Sequence, residues 1–200
     1  MYNEKMDMMK TKIKNALSTL LLFSTLLVMG QDQYKADTES SLINWKGFKP
    51  TGEHYGTVKV KSGSFKIENK KIVAGEFEID MNTIIDLDMA ADSEYNAKLV
   101  GHLKSDDFFG VEKYPTATLT ITAVEKGKGD VKNITADLTI KEVTKDIVFN
   151  AYVDGNTKTF STTFKIDRTR WGVTYNNPLK NNAISDAIEF DVFLQFETEN

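Results

Sequence analysis

Two histidines, His54 and His102, and twenty-nine carboxylates are the groups in this chain able to move a proton or hold a metal ion. Cysteine is absent. That excludes disulfides, thiolate zinc sites, cysteine nucleophiles and a lipid-modified N-terminal cysteine. Two histidines are too few for a multi-histidine metal cage. There is no GxSxG, no HExxH and no P-loop. Gly127-Lys128-Gly129 opens like a dinucleotide fingerprint, but Lys132 stands at the third glycine position and the run lies between strand patterns, so it reads as a hairpin loop. Asp86-Leu87-Asp88 with Asp92 resembles a calcium loop, yet Ala90 and Ala91 fail its acid and glycine positions, which leaves a solvated loop. Asn133-Ile134-Thr135 matches a glycosylation acceptor but falls inside a strand pattern. His54 lies in a polar stretch and is expected to be exposed. His102 sits one residue before Leu103, near an apolar helix face, where a lone histidine is more often a structural hydrogen-bonder than a catalyst. An enzyme using His102 with Asp106 or Asp107 has no motif behind it. The expectation is no catalytic residues, no cofactor and no metal.

The elements that must position these groups follow from hydrophobic periodicity. Ile188, Phe190, Val192, Leu194 and Phe196 alternate with Glu189, Asp191, Phe193, Gln195 and Glu197, the period of a strand with one buried face. Similar alternation runs through Val73–Met81, Ala117–Ala123, Ile134–Ile140, Ile147–Val153 and Phe160–Ile166. Weaker strands are expected at Leu42–Lys49, Thr57–Lys61 and Ser64–Glu68, with hairpin turns at Lys61–Ser64 and Asp154–Asn156. The total is roughly nine strands, antiparallel, arranged as a barrel or a sandwich.

One segment departs from period two. In Asp92–Lys104, Tyr95, Leu99 and Leu103 recur at helical spacing, and Asp92 or Ser93 can cap the start. This predicts one helical crossover near mid-chain. Asn176–Ala183 is the longest irregular stretch before the last strand.

Residues 1–30 read as a secretory signal peptide: Lys10, Lys12 and Lys14 precede the uncharged run Ala16–Met29, and cleavage is expected after Gly30. The run is too short, and too rich in Ser and Thr, for the ~20 apolar residues of a spanning helix. Residues 1–30 carry four lysines against Glu4 and Asp7, so their removal takes the net charge from −4 to −6. That charge, without a basic stripe, argues against nucleic acid and against tight contact with an anionic membrane surface. The domain is expected over 31–200, and ~170 residues suffice for one core without disulfides.

Three stretches carry a family resemblance. They are His102-Leu103-Lys104-Ser105-Asp106-Asp107-Phe108-Phe109 with Val111–Thr118, Ala136–Lys141 with Val143-Thr144-Lys145, and Ile166-Asp167-Arg168 with Trp171-Gly172-Val173. In order and spacing the chain resembles the YceI family of exported bacterial proteins over about residues 34–197. Glu142 stands where that family often has Gly, and Trp171 where it often has Phe. The resemblance implies a lipocalin-like antiparallel β-barrel of about eight strands with one helical crossover, a size able to hold one apolar ligand. It also implies a periplasmic protein whose ligand is a long-chain amphiphile, a polyisoprenoid such as a polyprenyl pyrophosphate or an isoprenoid quinone. No catalytic residues come with it.

The expected ligand-binding set is Trp45, Phe77, Ile79, His102, Phe108, Phe109, Phe149, Phe164, Arg168, Trp171 and Phe190. For Trp45 the rival reading is core packing, and for Trp171 a barrel plug or rim. Lys104, Arg168 and Arg170 are candidates for a phosphate head group, and His102 or a tyrosine for a quinone. A homodimer sharing an edge strand or a lipid tail stays open. The alternative function is a barrel filled by its own phenylalanines, serving envelope stress or protein interaction without a ligand.

Overall fold

The computed structural model describes residues 32–68, 71–175, 179 and 183–198. The expected leader and most of the irregular stretch 176–183 lie outside the described residues. Among the described residues no helix is long and apolar enough to cross a membrane.

Eight strands follow in chain order: β1 (Asp32–Lys49), β2 (Gly52–Glu68), β3 (Lys71–Asp86), β4 (Thr116–Lys126), β5 (Val131–Ile140), β6 (Val143–Asp154), β7 (Thr159–Asp167) and β8 (Ala187–Thr198). Each pairs antiparallel with the next, and β8 pairs back onto β1, closing an up-and-down barrel. Closure gives every strand two neighbours, although β6 and β7 pair only over Tyr152–Asp154 and Thr159–Ser161.

The count of nine strands is corrected to eight, because Lys61–Ser64 is no turn. It lies inside the continuous strand β2, at a register shift between Val60, opposite Ile79, and Ser62, opposite Glu78. The glycine there serves a close approach. A Cβ on Gly63 would stand 2.3 Å from the Phe77 ring. A bulge with a glycine bends the strand and admits a large ring from its neighbour. β1 likewise starts at Asp32 rather than Leu42, with an irregularity between Asp37 and Leu42 in its pairing with β8. There the Asp37 carboxylate accepts the Glu39 and Ser40 N–H groups.

The long β3–β4 connection carries helix α1 (Glu94–Lys104), capped by Ser93, whose hydroxyl accepts the Tyr95 N–H at 3.1 Å. Leu103 is buried and Leu99 packs against the core, but Tyr95 is 73% exposed. Asn96 takes the inward place that periodicity gave to Tyr95. Its amide donates to the Asp86 carboxylate at 3.1 Å and to the Met89 carbonyl at 3.2 Å. The connection thus needs a polar anchor on the helix face turned toward it.

One end of the barrel is shut by aromatic packing. Phe65 is buried, with ring centroids 4.3 Å from Phe196, 5.1 Å from Phe77 and 5.3 Å from Phe160. α1, the 3-10 turn Arg168–Trp171, Tyr175, Ile184 and Ser185 gather at the other end.

Candidate ligand cavity

The inward side chains of the barrel leave a cavity of about 380 Å³. That is far above the ~10–15 Å³ needed for one water and within the ~300–1,000 Å³ of ligand pockets. All eight strands contribute to its wall, through residues such as Ile43, Val58, Ile84, Ala117, Ile140, Phe149, Thr162 and Leu194. Ile79, Leu119, Phe164, Phe190 and Val192 lie on inward positions yet are only partly buried, because the surface they keep faces this space. The interior is open, which removes the filled barrel as a reading.

Ten of the eleven residues singled out from sequence line the cavity. Trp45 does so while its indole N–H donates to the Ile85 carbonyl at 3.2 Å, so it is both wall and anchor. Phe77 and Ile79 come from β3. Phe149, Phe164 and Phe190 form one aromatic patch across β6, β7 and β8: Phe149 stacks on Phe164 at 4.8 Å, and Phe164 meets Phe190 at 5.6 Å. His102, Phe108 and Phe109 close the helical end, with Phe108 set edge-on to Phe109 at 4.9 Å.

Trp171 is the exception. It is 1% exposed and lies outside the cavity, and its indole N–H donates to the Leu138 carbonyl at 2.9 Å. It packs the outer end of the barrel, in line with the plug reading.

Arg168 lines the cavity, but its guanidinium is already engaged. It donates to the Val173 carbonyl at 2.6 Å, the Ser185 carbonyl at 3.2 Å and the Asp186 carboxylate at 3.0 Å. Burial lowers its pKa from the ordinary arginine value, while Asp186 and Asp167 favour its charge. The fork ties Val173, Ser185 and Asp186 to the end of β7. Arg170 pairs with Asp146, and the Lys104 ammonium donates to the Asn82 carbonyl at 2.6 Å. Neither Arg170 nor Lys104 borders the cavity. Asp106 is exposed and paired with Lys113 at 2.7 Å.

Polar groups on the cavity wall gather at the helical end: Lys49, His54, His102, Tyr175 and Ser185. Burial raises the Tyr175 hydroxyl above its ordinary pKa. His54, expected in an exposed loop, is instead half-buried on β2. Its Nε2 stands 2.7 Å from the Lys49 ammonium and its Nδ1 3.0 Å from the Asp88 carboxylate. Nor is Asp86–Asp88 a solvated run. Asp86 is 4% exposed, and burial together with the neighbouring Asp88 carboxyl pushes its pKa up to about 6. Asp88 is held below the usual carboxylate range by hydrogen bonds from Asp86 and His54 that outweigh its own burial. Sequence reasoning missed this cluster, because His54 and Asp88 stand 34 positions apart and only the β2–β3 pairing joins them.

The profile of the YceI-like domain matches residues 34–196, nearly the whole described barrel. The chain belongs to the YceI-like family. Protein YceI of Escherichia coli O157:H7 is 33% identical over 151 residues, covering 74% of this chain and 74% of that protein. A UPF0312 protein of Pseudomonas putida strain W619 is 31% identical over 153 residues, covering 73% of this chain and 76% of the relative. Among solved structures, BcnA of Burkholderia cenocepacia superposes with a TM-score of 0.67 at 22% identity, over 80% of this chain and 98% of BcnA. The YCEI protein of Campylobacter jejuni gives 0.53 at 24% identity, over 72% and 84%. These two support the fold. YceI-like membership and the closed barrel fit a binding protein.

Proposed function

We propose that this YceI-like barrel binds the chain of a long amphiphile, of the polyisoprenoid class, and stores or ferries it without transforming it. The observation that carries this reading is the apolar cavity built from all eight strands. Burying one CH₂ is worth ~0.8 kcal/mol, so each five-carbon isoprene unit supplies about 3–4 kcal/mol before the costs of association. Affinity then needs few polar contacts. The tail lies toward the Phe65 floor, and the head group lies at the helical end, near Lys49, His102 and Tyr175. Lys49 thereby replaces Lys104 and Arg170 as the cation for a phosphate, and His102 or Tyr175 serves a quinone. In the same reading residues 1–30 direct export, and the barrel works in the periplasm as a soluble carrier.

Filling the cavity tests this. Ile79→Phe with Val192→Phe adds aromatic volume from two walls, at a stability cost of about 1–3 kcal/mol. Uptake of a prenyl phosphate or a quinone should fall at least tenfold in a barrel that stays folded. Unchanged uptake would place the ligand outside the cavity.

A further inference from the structure

Where β2 runs beside the end of β3, three side chains from two elements converge. His54 comes from β2, Asp86 is the last residue of β3, and Asp88 lies in the loop that follows. One ligating atom of each lies within 4.8 Å of the others. Both carboxylates are oriented by donors. Asp86 Oδ2 accepts the Met89 N–H and the Asn96 amide, each at 3.1 Å, and Asp88 Oδ1 accepts the Tyr55 N–H at 3.1 Å. Such outer contacts fix ligand geometry in metal sites.

Asp86 supplies the observation that the acidic pair alone does not. Its side chain is buried, and Oδ1 receives no hydrogen bond from any described residue. A desolvated carboxylate oxygen beside a second carboxylate is costly unless the pair shares a proton or a positive charge stands against it.

We propose that His54 Nδ1, Asp86 and Asp88 bind a divalent transition-metal ion of the zinc class, in a three-ligand site open to solvent on one side. One imidazole and two carboxylates are a usual donor set for such ions, and drawing in by about 1 Å brings the donors to the ~2.0–2.2 Å metal–ligand distance. Calcium takes 6–8 oxygens, and the loop offers neither an acid or amide at Ala90 nor a glycine at Ala91. His54 and Asp88 are each partly exposed, which gives the ion a path in. Lys49 competes with it. Its ammonium donates to His54 Nε2 and so keeps the imidazole proton on Nδ1, the atom the metal needs. Metal on Nδ1 moves that proton to Nε2 and turns Lys49 away. The site then clamps the 86–92 loop to β2.

The test uses the purified protein, stripped with a chelator and titrated with Zn²⁺ against a chromophoric competitor, with Co²⁺ absorption as the report on ligation. One equivalent should bind. His54→Ala and Asp88→Asn should each weaken binding at least tenfold, Lys49→Met should leave it equal or tighter, and His102→Ala should leave it unchanged. Asp86→Asn should abolish the Co²⁺ spectrum, with far-UV circular dichroism reporting its fold. The proposal is overturned if no Zn²⁺ binds, if His54→Ala and Asp88→Asn bind as the parent does, or if carbon-13 spectra show a proton kept on Asp86 in excess Zn²⁺.

Discussion

The imidazole of His102 lies flat on the ring of Tyr175, with 4.1 Å between centroids and 13° between planes. The two residues come from the two non-barrel segments at the open end: His102 from α1, Tyr175 from the chain that leaves the 3-10 turn. Both border the cavity, and Phe108 packs against each of them, at 5.4 and 6.1 Å. The stack therefore joins the helix to the opposite rim over the space below. Aromatic pairing of this kind is worth ~0.5–1.5 kcal/mol beyond burial. Tyr175→Ala should speed ligand release by about 2- to 10-fold, whereas Tyr175→Phe should keep the parent rate. Stopped-flow displacement of a fluorescent prenyl lipid measures both. Equal loss in the two variants would mean that the hydroxyl, not the stack, holds the ligand.

Two glycines predict opposite signs. A Cβ on Gly63 would meet Phe77 at 2.3 Å, whereas one on Gly101, in the exposed part of α1, would meet nothing within 4 Å. Gly63→Ala should destabilise by about 1–3 kcal/mol through overpacking of the aromatic floor. Gly101→Ala should stabilise by about 1 kcal/mol through helix propensity. Urea unfolding of the two variants beside the parent decides it, and a stabilised Gly63→Ala would contradict the packing described for β2 and β3.

Arg168 separates a structural cation from a head-group cation. Its side chain is 1% exposed and holds the Val173 and Ser185 carbonyls and Asp186. Arg168→Met leaves the buried Val173 carbonyl without this donor, while Asp186 is 59% exposed, and should cost about 1–3 kcal/mol. Arg168→Lys should recover little of this, because an ammonium lacks the planar fork. If Arg168 instead served the ligand, thermal unfolding would be unchanged and only prenyl-phosphate affinity would fall.

The fold was legible wherever one strand face is buried and the other wet. Ile188 to Phe196 alternates strictly, and β8 presents those residues inward with Phe193 half-exposed on the outside. Glycine was the ambiguous letter. Gly63 looks like a turn residue but serves ring packing, whereas Gly127 and Gly129 do mark the β4–β5 turn. The hairpin at Lys141–Glu142 carries φ of 51° and 64°, so both residues sit in the left-handed region that favours glycine. The cavity wall was legible because inward Phe and Ile follow from strand parity. Trp171 was not, since parity says nothing about a residue in a 3-10 turn. The His54–Asp86–Asp88 cluster was illegible for another reason: spacing along the chain does not encode which strands pair.

The most direct measurement is native mass spectrometry of Gln31–Asn200 before and after organic extraction, then after incubation with prenyl phosphates and isoprenoid quinones. We predict a bound mass that vanishes on extraction, fragments in isoprene steps and returns with one lipid per barrel. A bare polypeptide mass throughout, with none of these lipids taken up, would contradict the carrier account.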